Sequence, residues 1–236
     1  MNTCPAELNF ASHLAALNAP RAAKPAYIDD TRQLTYGELA ERVARMAGAL
    51  RQLGLRREER ILLLMQDTAD WPVVFLGALH AGVVPVAVNT LLTADDYAYI
   101  IGHSRVRAVF VSGALLPVVQ AAMAQAPADV EHLVISQSAG PLPEAAHEFE
   151  ALLAAAPLAP AARTLSDEIA FWLYSSGSTG KPKGVVHTHG NLWHTAELYA
   201  KPVLGIREDD VVFSAAKLFF AYGLGNGLTF PLSVGA

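Results

Sequence analysis

Apolar positions along the chain alternate between helical spacing and short unbroken runs, and that alternation predicts the elements. Asn9–Leu17 carries its apolar residues at helical spacing and reads as an opening amphipathic helix. Ala26–Ile28 and Gln33–Leu34 flank the turn-favouring pair Asp29-Asp30, which predicts a short hairpin. Thr35 and Glu38 form a capping box ahead of Leu39, Val43, Met46, Ala47 and Leu50, the apolar face of a long helix. Gly54 stands where such a helix ends.

Arg60–Met65 reads as a buried strand, Trp71–Ala81 as a buried helix and Val83–Val88 as a second buried strand, a βαβ unit with a parallel crossover. Thr93 and Asp96 make a second capping box for a helix through Ile101. A strand at Ala108–Val111, a helix at Leu115–Ala124 and a strand at His132–Ile135 continue the rhythm, which predicts a doubly wound α/β fold. Ser136–Asp167 shifts to Ala and Pro, with one short helix at Phe149–Ala155, and reads as a surface excursion. Ile169–Leu173 is a further buried strand and Val185–His187 another, after which His189 and Asn191 shape the start of a helix through Leu198.

From Trp71 to Ala94 there is no Asp, Glu, Lys or Arg, a length that would span a bilayer. Pro72, Gly77, Gly82, Pro85 and Asn89 divide it into helix and strand, so the expectation is a soluble core without membrane contact. A hydrophobic fraction of 53%, only 17% charged residues and a mean hydropathy of +0.29 fit buried parallel strands. The net charge of -5 and the lack of a basic stripe argue against nucleic acid as a partner. The densest basic cluster, Arg51 to Arg60, is interrupted by Glu58 and Glu59 and reads as a solvated helix end. The single cysteine, Cys4, excludes an internal disulfide and fits a reducing compartment. The first residues lack a signal-peptide pattern, so a cytoplasmic protein is expected.

Between the strands at 169–173 and 185–187 lies Tyr174-Ser-Ser-Gly-Ser-Thr-Gly-Lys-Pro-Lys-Gly184. Its glycines let backbone N–H groups approach a ligand, its hydroxyls donate and its lysines neutralise charge, which together suit a polyphosphate. The stretch is not a Walker-A loop. Gly180 follows Gly177 too closely, Pro182 stands where the magnesium-binding hydroxyl should be, and a strand rather than a helix follows. His187, His189 and His194 lack an acidic or cysteine partner at ligand spacing, so no metal site is assigned.

These eleven residues resemble the phosphate-loop signature of the adenylate-forming superfamily, which contains acyl- and aryl-CoA ligases, luciferases and amino-acid adenylation domains. Leu34-Thr-Tyr-Gly-Glu-Leu39 and Leu76–Val88 resemble its first and second core motifs, in the same order, so the resemblance covers essentially the whole chain. It implies an incomplete, doubly wound N-terminal domain of an AMP-binding ligase over 1–236. Residues 1–168 would form a first α/β portion and 169–236 the phosphate-loop and acid-pocket portion, with the loop between two strands. Ser175, Ser176, Ser178 and Thr179 would donate hydroxyls to ATP, Gly177, Gly180 and Gly184 would be hinges, and Lys181 and Lys183 the positive charges. Mg2+ and coenzyme A are further implied, as is attack of a carboxylate on the α-phosphorus. The family's catalytic lysine, its magnesium-binding acid and its C-terminal domain would lie beyond this chain, leaving it inactive alone.

Ala215–Asn226 sits where the family binds its acid, with Phe220 aligned to a usual His and followed by Ala221, Tyr222 and Gly223. A small residue, a flat ring and a missing side chain suit a flat apolar acid. Taken alone, Phe219, Phe220 and Tyr222 read as core packing, and Lys217 either approaches an anion or reaches solvent. With Tyr199–Gly205 and Thr229–Gly235, the segment resembles bacterial benzoate–CoA ligases. Three readings stay open: benzoate–CoA ligation, the same chemistry on a substituted benzoate or other acid, and a short non-catalytic module that binds nucleotide or a partner. The oligomeric state also stays open, with a homodimer among the alternatives.

Overall fold

The computed structural model describes residues 3–126, 129–175 and 180–236. Helix α1 (Phe10–Asn18) is capped by the Asn9 side chain, which accepts the Ser12 N–H. Strands β1 (Pro25–Ile28) and β2 (Gln33–Thr35) form the expected antiparallel hairpin. Helix α2 (Tyr36–Gln52) starts at the expected capping box, with the Thr35 N–H donating to Glu38 at 2.8 Å and the Glu38 N–H donating to the Thr35 hydroxyl at 3.2 Å. It ends before Gly54, whose φ of 80° no side chain adopts cheaply.

The main sheet is built from β3 (Arg60–Leu64), β4 (Val84–Ala87), β5 (Val106–Ser112), β6 (His132–Ser136), β7 (His147–Glu148), β8 (Ile169–Ser175) and β9 (Lys183–Thr188), in the order β7-β6-β5-β3-β4-β8-β9. Every neighbouring pair is parallel except β8 with β9. The chain steps outward from β3 to β4 through α3 (Asp70–Ala81), then returns past β3 to β5 through α4 (Ala94–Ser104) and on to β6 after α5 (Leu116–Met123). That reversal is the doubly wound topology.

Strand periodicity divides the core between the two faces. Ile61, Leu63, Ala108 and Phe110 pack on the side of α1, α2, α3 and α6 (Phe149–Ala155), whereas Leu62, Leu64, Val109 and Val111 pack on the side of α4 and α5. All of α3 is buried, its one charged residue Asp70 at the first position included, and among the described residues no helix is long and apolar enough to cross a membrane. Gly77 brings α3 close to α2, since a Cβ there would stand 2.4 Å from the Met46 side chain.

Three sequence expectations need correction. The stretch expected to be only a surface excursion contributes β7 to the sheet and then runs back along the helices, with Ala159 N–H bonded to Ala44 C=O and Ala162 N–H to His80 C=O. A two-residue strand is too short to leave a periodic signal. The basic cluster at 51–60 is not simply solvated: Arg57 pairs with Glu168, Arg51 donates to the Pro160 carbonyl, and Arg60 lies 5.9 Å over the Trp172 ring. The helix expected to stop at Leu198 runs from α7 (His189–Thr195) into a wider π-helical stretch, Ala196–Leu204, that ends at Gly205 with φ 69°. It starts at a third capping box, between Thr188 and Asn191.

The last helical segment comprises α8 (Ala221–Leu224), a π-helical turn and α9 (Phe230–Val234). It packs on the preceding helix through Tyr199 and Phe230, whose ring centroids are 5.9 Å apart. The edge strand β9 exposes Val185 and Val186, and Val211 and Phe213 are 93% and 90% exposed in a segment without strand pairing.

Candidate phosphate loop and acid segment

Strand β8 is anchored on one side by β4, where Trp172 and Leu173 pair with Val86 and Ala87. On its other side it pairs with β9, setting Tyr174 opposite Gly184 and Ser175 opposite Lys183. The Ser/Gly/Lys segment therefore leaves one strand and re-enters the next, and the following helix begins only at His189. Among the described residues a strand rather than a helix follows the segment, unlike a Walker-A element.

Ser175, Lys181, Lys183 and Gly184 gather at the base of this turn, and Gly180 takes φ 87°, open only to glycine at low cost. Ser176, Gly177, Ser178 and Thr179 lie outside the described residues. Gly184 also faces aromatic rings: a Cβ there would stand 3.3 Å from Trp172 and 3.4 Å from Tyr174. The Tyr174 hydroxyl lies 2.7 Å from His103 Nδ1, and burial pushes its pKa up to about 12. Lys181 Nζ rests 4.9 Å from the centre of the Tyr99 ring. No carboxylate occurs between Ile169 and Thr188, so the loop presents hydroxyls, backbone N–H groups and two ammonium groups, a set that fits an anion. The same set does not fit a magnesium ion held by protein carboxylates.

The histidines beyond the loop have structural partners. His187 stacks on Phe171 at 4.7 Å and 9°. His189 is 1% exposed, and its Nδ1 accepts the Phe10 N–H at 3.2 Å, so burial lowers its pKa to about 4.

In the acid segment, Phe220 precedes α8, and Ala221, Tyr222 and Gly223 form its first turn. Phe220 and Tyr222 are 48% and 72% exposed, so neither ring is part of the buried core. Gly223 is buried for a backbone reason: a Cβ there would stand 2.0 Å from the Lys217 carbonyl oxygen. Tyr222 lines a cavity of about 500 Å3 with Ile206, Val211, Phe213 and Asn226. A second cavity of about 800 Å3 opens at the carboxyl ends of β3 and β6 and is lined by Asp29, Gln66, Asp67, Gln137 and Lys217. Neither cavity includes Ser175, Gly180, Lys181, Lys183 or Gly184 in its lining.

Lys217, left open from the sequence, turns to Asp67, with Nζ 3.9 Å from Oδ2. Burial raises the Asp67 carboxyl, while the Leu218 N–H and Lys217 oppose that rise. The sequence marked Asp29 only as a turn residue and gave Asp67 no role. Asp29 is also partly desolvated, but N–H groups of Thr31, Arg32 and Ala69 and the Thr31 hydroxyl outweigh this and bring it down to about 2. The only sequence signal for Asp67 is its place just after a buried strand, where α/β ligand crevices form.

The profile described as AMP-binding enzyme matches residues 15–236. The chain belongs to the AMP-binding enzyme family. Among the members it resembles is the benzoate–CoA ligase of Thauera aromatica, 53% identical over 98% of this chain and 44% of the relative. The crystal structure of a benzoate–CoA ligase from Burkholderia xenovorans superposes with a TM-score of 0.88 at 61% identity, covering 97% of this chain and 44% of that one. An anthranilate–CoA ligase solved with anthranoyl-AMP superposes at 0.94 with 34% identity, over 99% of this chain and 45% of its own. As a member of the AMP-binding family the chain thus spans less than half the length of these relatives, and its α/β sheet is the one they share.

Proposed function

We propose that the protein bearing this chain is an aryl-CoA ligase that activates benzoate with ATP. The observation that carries this is the β8–β9 turn with its hydroxyls and two lysines, in a chain 53% and 61% identical to two benzoate–CoA ligases. A benzoate oxygen attacks the α-phosphorus of ATP, the bond to the β-phosphate oxygen breaks, and pyrophosphate leaves with its electron pair. The thiol of coenzyme A then attacks the acyl carbon, the acyl–phosphate bond breaks, and AMP departs as benzoyl-CoA forms.

Within this reading Ser175, Ser176, Gly177, Ser178, Thr179, Gly180, Lys181, Lys183 and Gly184 hold the ATP phosphates. Phe220, Ala221, Tyr222 and Gly223 contribute one side of the acid site. Residues 1–168 and 169–236 act as two portions of one nucleotide- and acid-binding domain, although β8 and β4 join them in a single sheet. Magnesium would reach the site with the nucleotide, since the loop holds no carboxylate to keep it. A cytoplasmic location fits soluble substrates of this kind.

Acid-dependent exchange of labelled pyrophosphate into ATP tests the reading, using the protein as its native reading frame encodes it. Exchange with benzoate above that with hexanoate is expected. Greater exchange with an amino- or hydroxybenzoate would move the assignment to that ring, as the anthranoyl-AMP complex allows. A preference for the aliphatic acid, or no exchange at all, would overturn it.

A further inference from the structure

Lys181, a proposed phosphate ligand, has a partner on a different element. Its Nζ stands 4.9 Å from the centre of the Tyr99 ring on α4, within the range of a cation–π contact. Tyr99 is itself set by His103 one turn later, stacked at 5.4 Å and 23°. The His103 ring in turn meets Tyr174 edge-on at 5.9 Å and 77°, and its Nδ1 lies 2.7 Å from the Tyr174 hydroxyl. Tyr174 is the last residue before the loop's first serine and pairs with Gly184 across the turn. A single aromatic column on α4 therefore touches the loop's lysine and the strand that launches it.

We propose that Tyr99, oriented by His103, is a resting berth for Lys181, and that a bound polyphosphate draws the ammonium off the ring. The proposal rests on the reading of 174–184 as a phosphate loop and adds two positioning residues on α4. The ammonium of Lys181 is exposed, so without the ring it would sample many rotamers. Tyr99 holds it beside the loop in one place. The ring is a weaker partner than a phosphate, so the lysine moves only when an anion arrives. The berth competes with the ligand, and its loss should tighten polyphosphate binding.

The five lysines of the chain make the test direct. Reductive methylation with labelled formaldehyde keeps each lysine charged and gives each an NMR methyl signal, and Lys181→Arg and Lys183→Arg assign the two that matter. Ring current should place the Lys181 signal upfield in the unliganded chain and in Tyr99→Phe. It should return to the ordinary position in Tyr99→Leu and on addition of MgATP or inorganic tripolyphosphate. Tripolyphosphate should bind about two- to five-fold more tightly to Tyr99→Leu, the factor that an exposed cation–π contact supplies.

An ordinary Lys181 shift in the unliganded chain would overturn the proposal. So would weaker binding by Tyr99→Leu with Tyr99→Phe unchanged, because the ring would then be supporting the liganded loop. If tripolyphosphate moves Lys183 but leaves Lys181 on the ring, the berth is wrong and the phosphate reading stands. If neither lysine responds to either polyphosphate, the phosphate reading falls and takes the berth with it.

Discussion

Nδ1 of His189 accepts the backbone N–H of Phe10 at 3.2 Å, joining the helix after β9 to the first helix of the chain. The contact requires a neutral ring, and burial lowers the His189 pKa from 6.5 to about 4. Because the folded value lies below the unfolded one, the stabilisation is fully present above about pH 6.5 and is lost as pH falls through about 4. The full loss is about 3 kcal/mol at roughly 1.4 kcal/mol per pKa unit. Urea unfolding at several pH values should show this acid slope. His189→Asn, which cannot titrate, should start less stable and show a flatter profile.

Asp70 is the centre of a second long-range contact set. Its carboxylate pairs with Arg32, lies 3.8 Å from Arg42 and accepts the Ser136 hydroxyl at 2.6 Å, with its side chain 4% exposed. Arg32 and Arg42 also share Glu150. Asp70→Ala should lower stability by about 3 kcal/mol, because it leaves a partly buried guanidinium without its main counter-charge. A double-mutant cycle with Arg32→Met should show strong coupling, and additive losses would mean that the pair is not a unit.

Ala221 and Gly223 should behave differently although they are two residues apart. Ala221 is exposed on the first turn of α8, so Ala221→Leu should raise the KM for benzoate far more than that for ATP while leaving stability unchanged. Gly223 faces the Lys217 carbonyl, so Gly223→Ala should cost stability first, by about 1–3 kcal/mol. Thermal unfolding beside steady-state kinetics separates the two effects. An equal rise in both KM values for Ala221→Leu would remove that residue from the acid site.

Thr179→Val should impair use of ATP. Loss of one hydroxyl to a charged phosphate should raise the KM for ATP by about ten-fold or more, with the KM for benzoate little changed. A selective rise for benzoate would contradict the division between phosphate loop and acid segment.

Much of the fold was legible because its signals are local. The Thr35–Glu38 and Thr93–Asp96 boxes satisfy helix-end N–H groups within one turn, so three residues of spacing suffice to find them. The unbroken apolar runs at β3 and β4 show strands covered on both faces, and the helix between them supplies the crossover that parallel pairing needs. The proposed phosphate loop was readable from sequence for the same reason, since its glycines, hydroxyls and lysines lie within eleven residues.

What only the tertiary structure decided depends on approach between distant residues. No local pattern says that β7 joins β6, that Arg60 covers Trp172, or that Asp67 meets Lys217. The same holds for Lys181 on Tyr99 and for His189 at Phe10, where the energy of each contact exists only after the sheet has placed two segments side by side. By itself the sequence determined the elements, the doubly wound class and the loop's chemistry, because backbone capping, side-chain period and charge are properties of neighbours along the chain. Strand order, the buried ion pairs and the ring beneath Lys181 are properties of neighbours in space, and those were settled by packing.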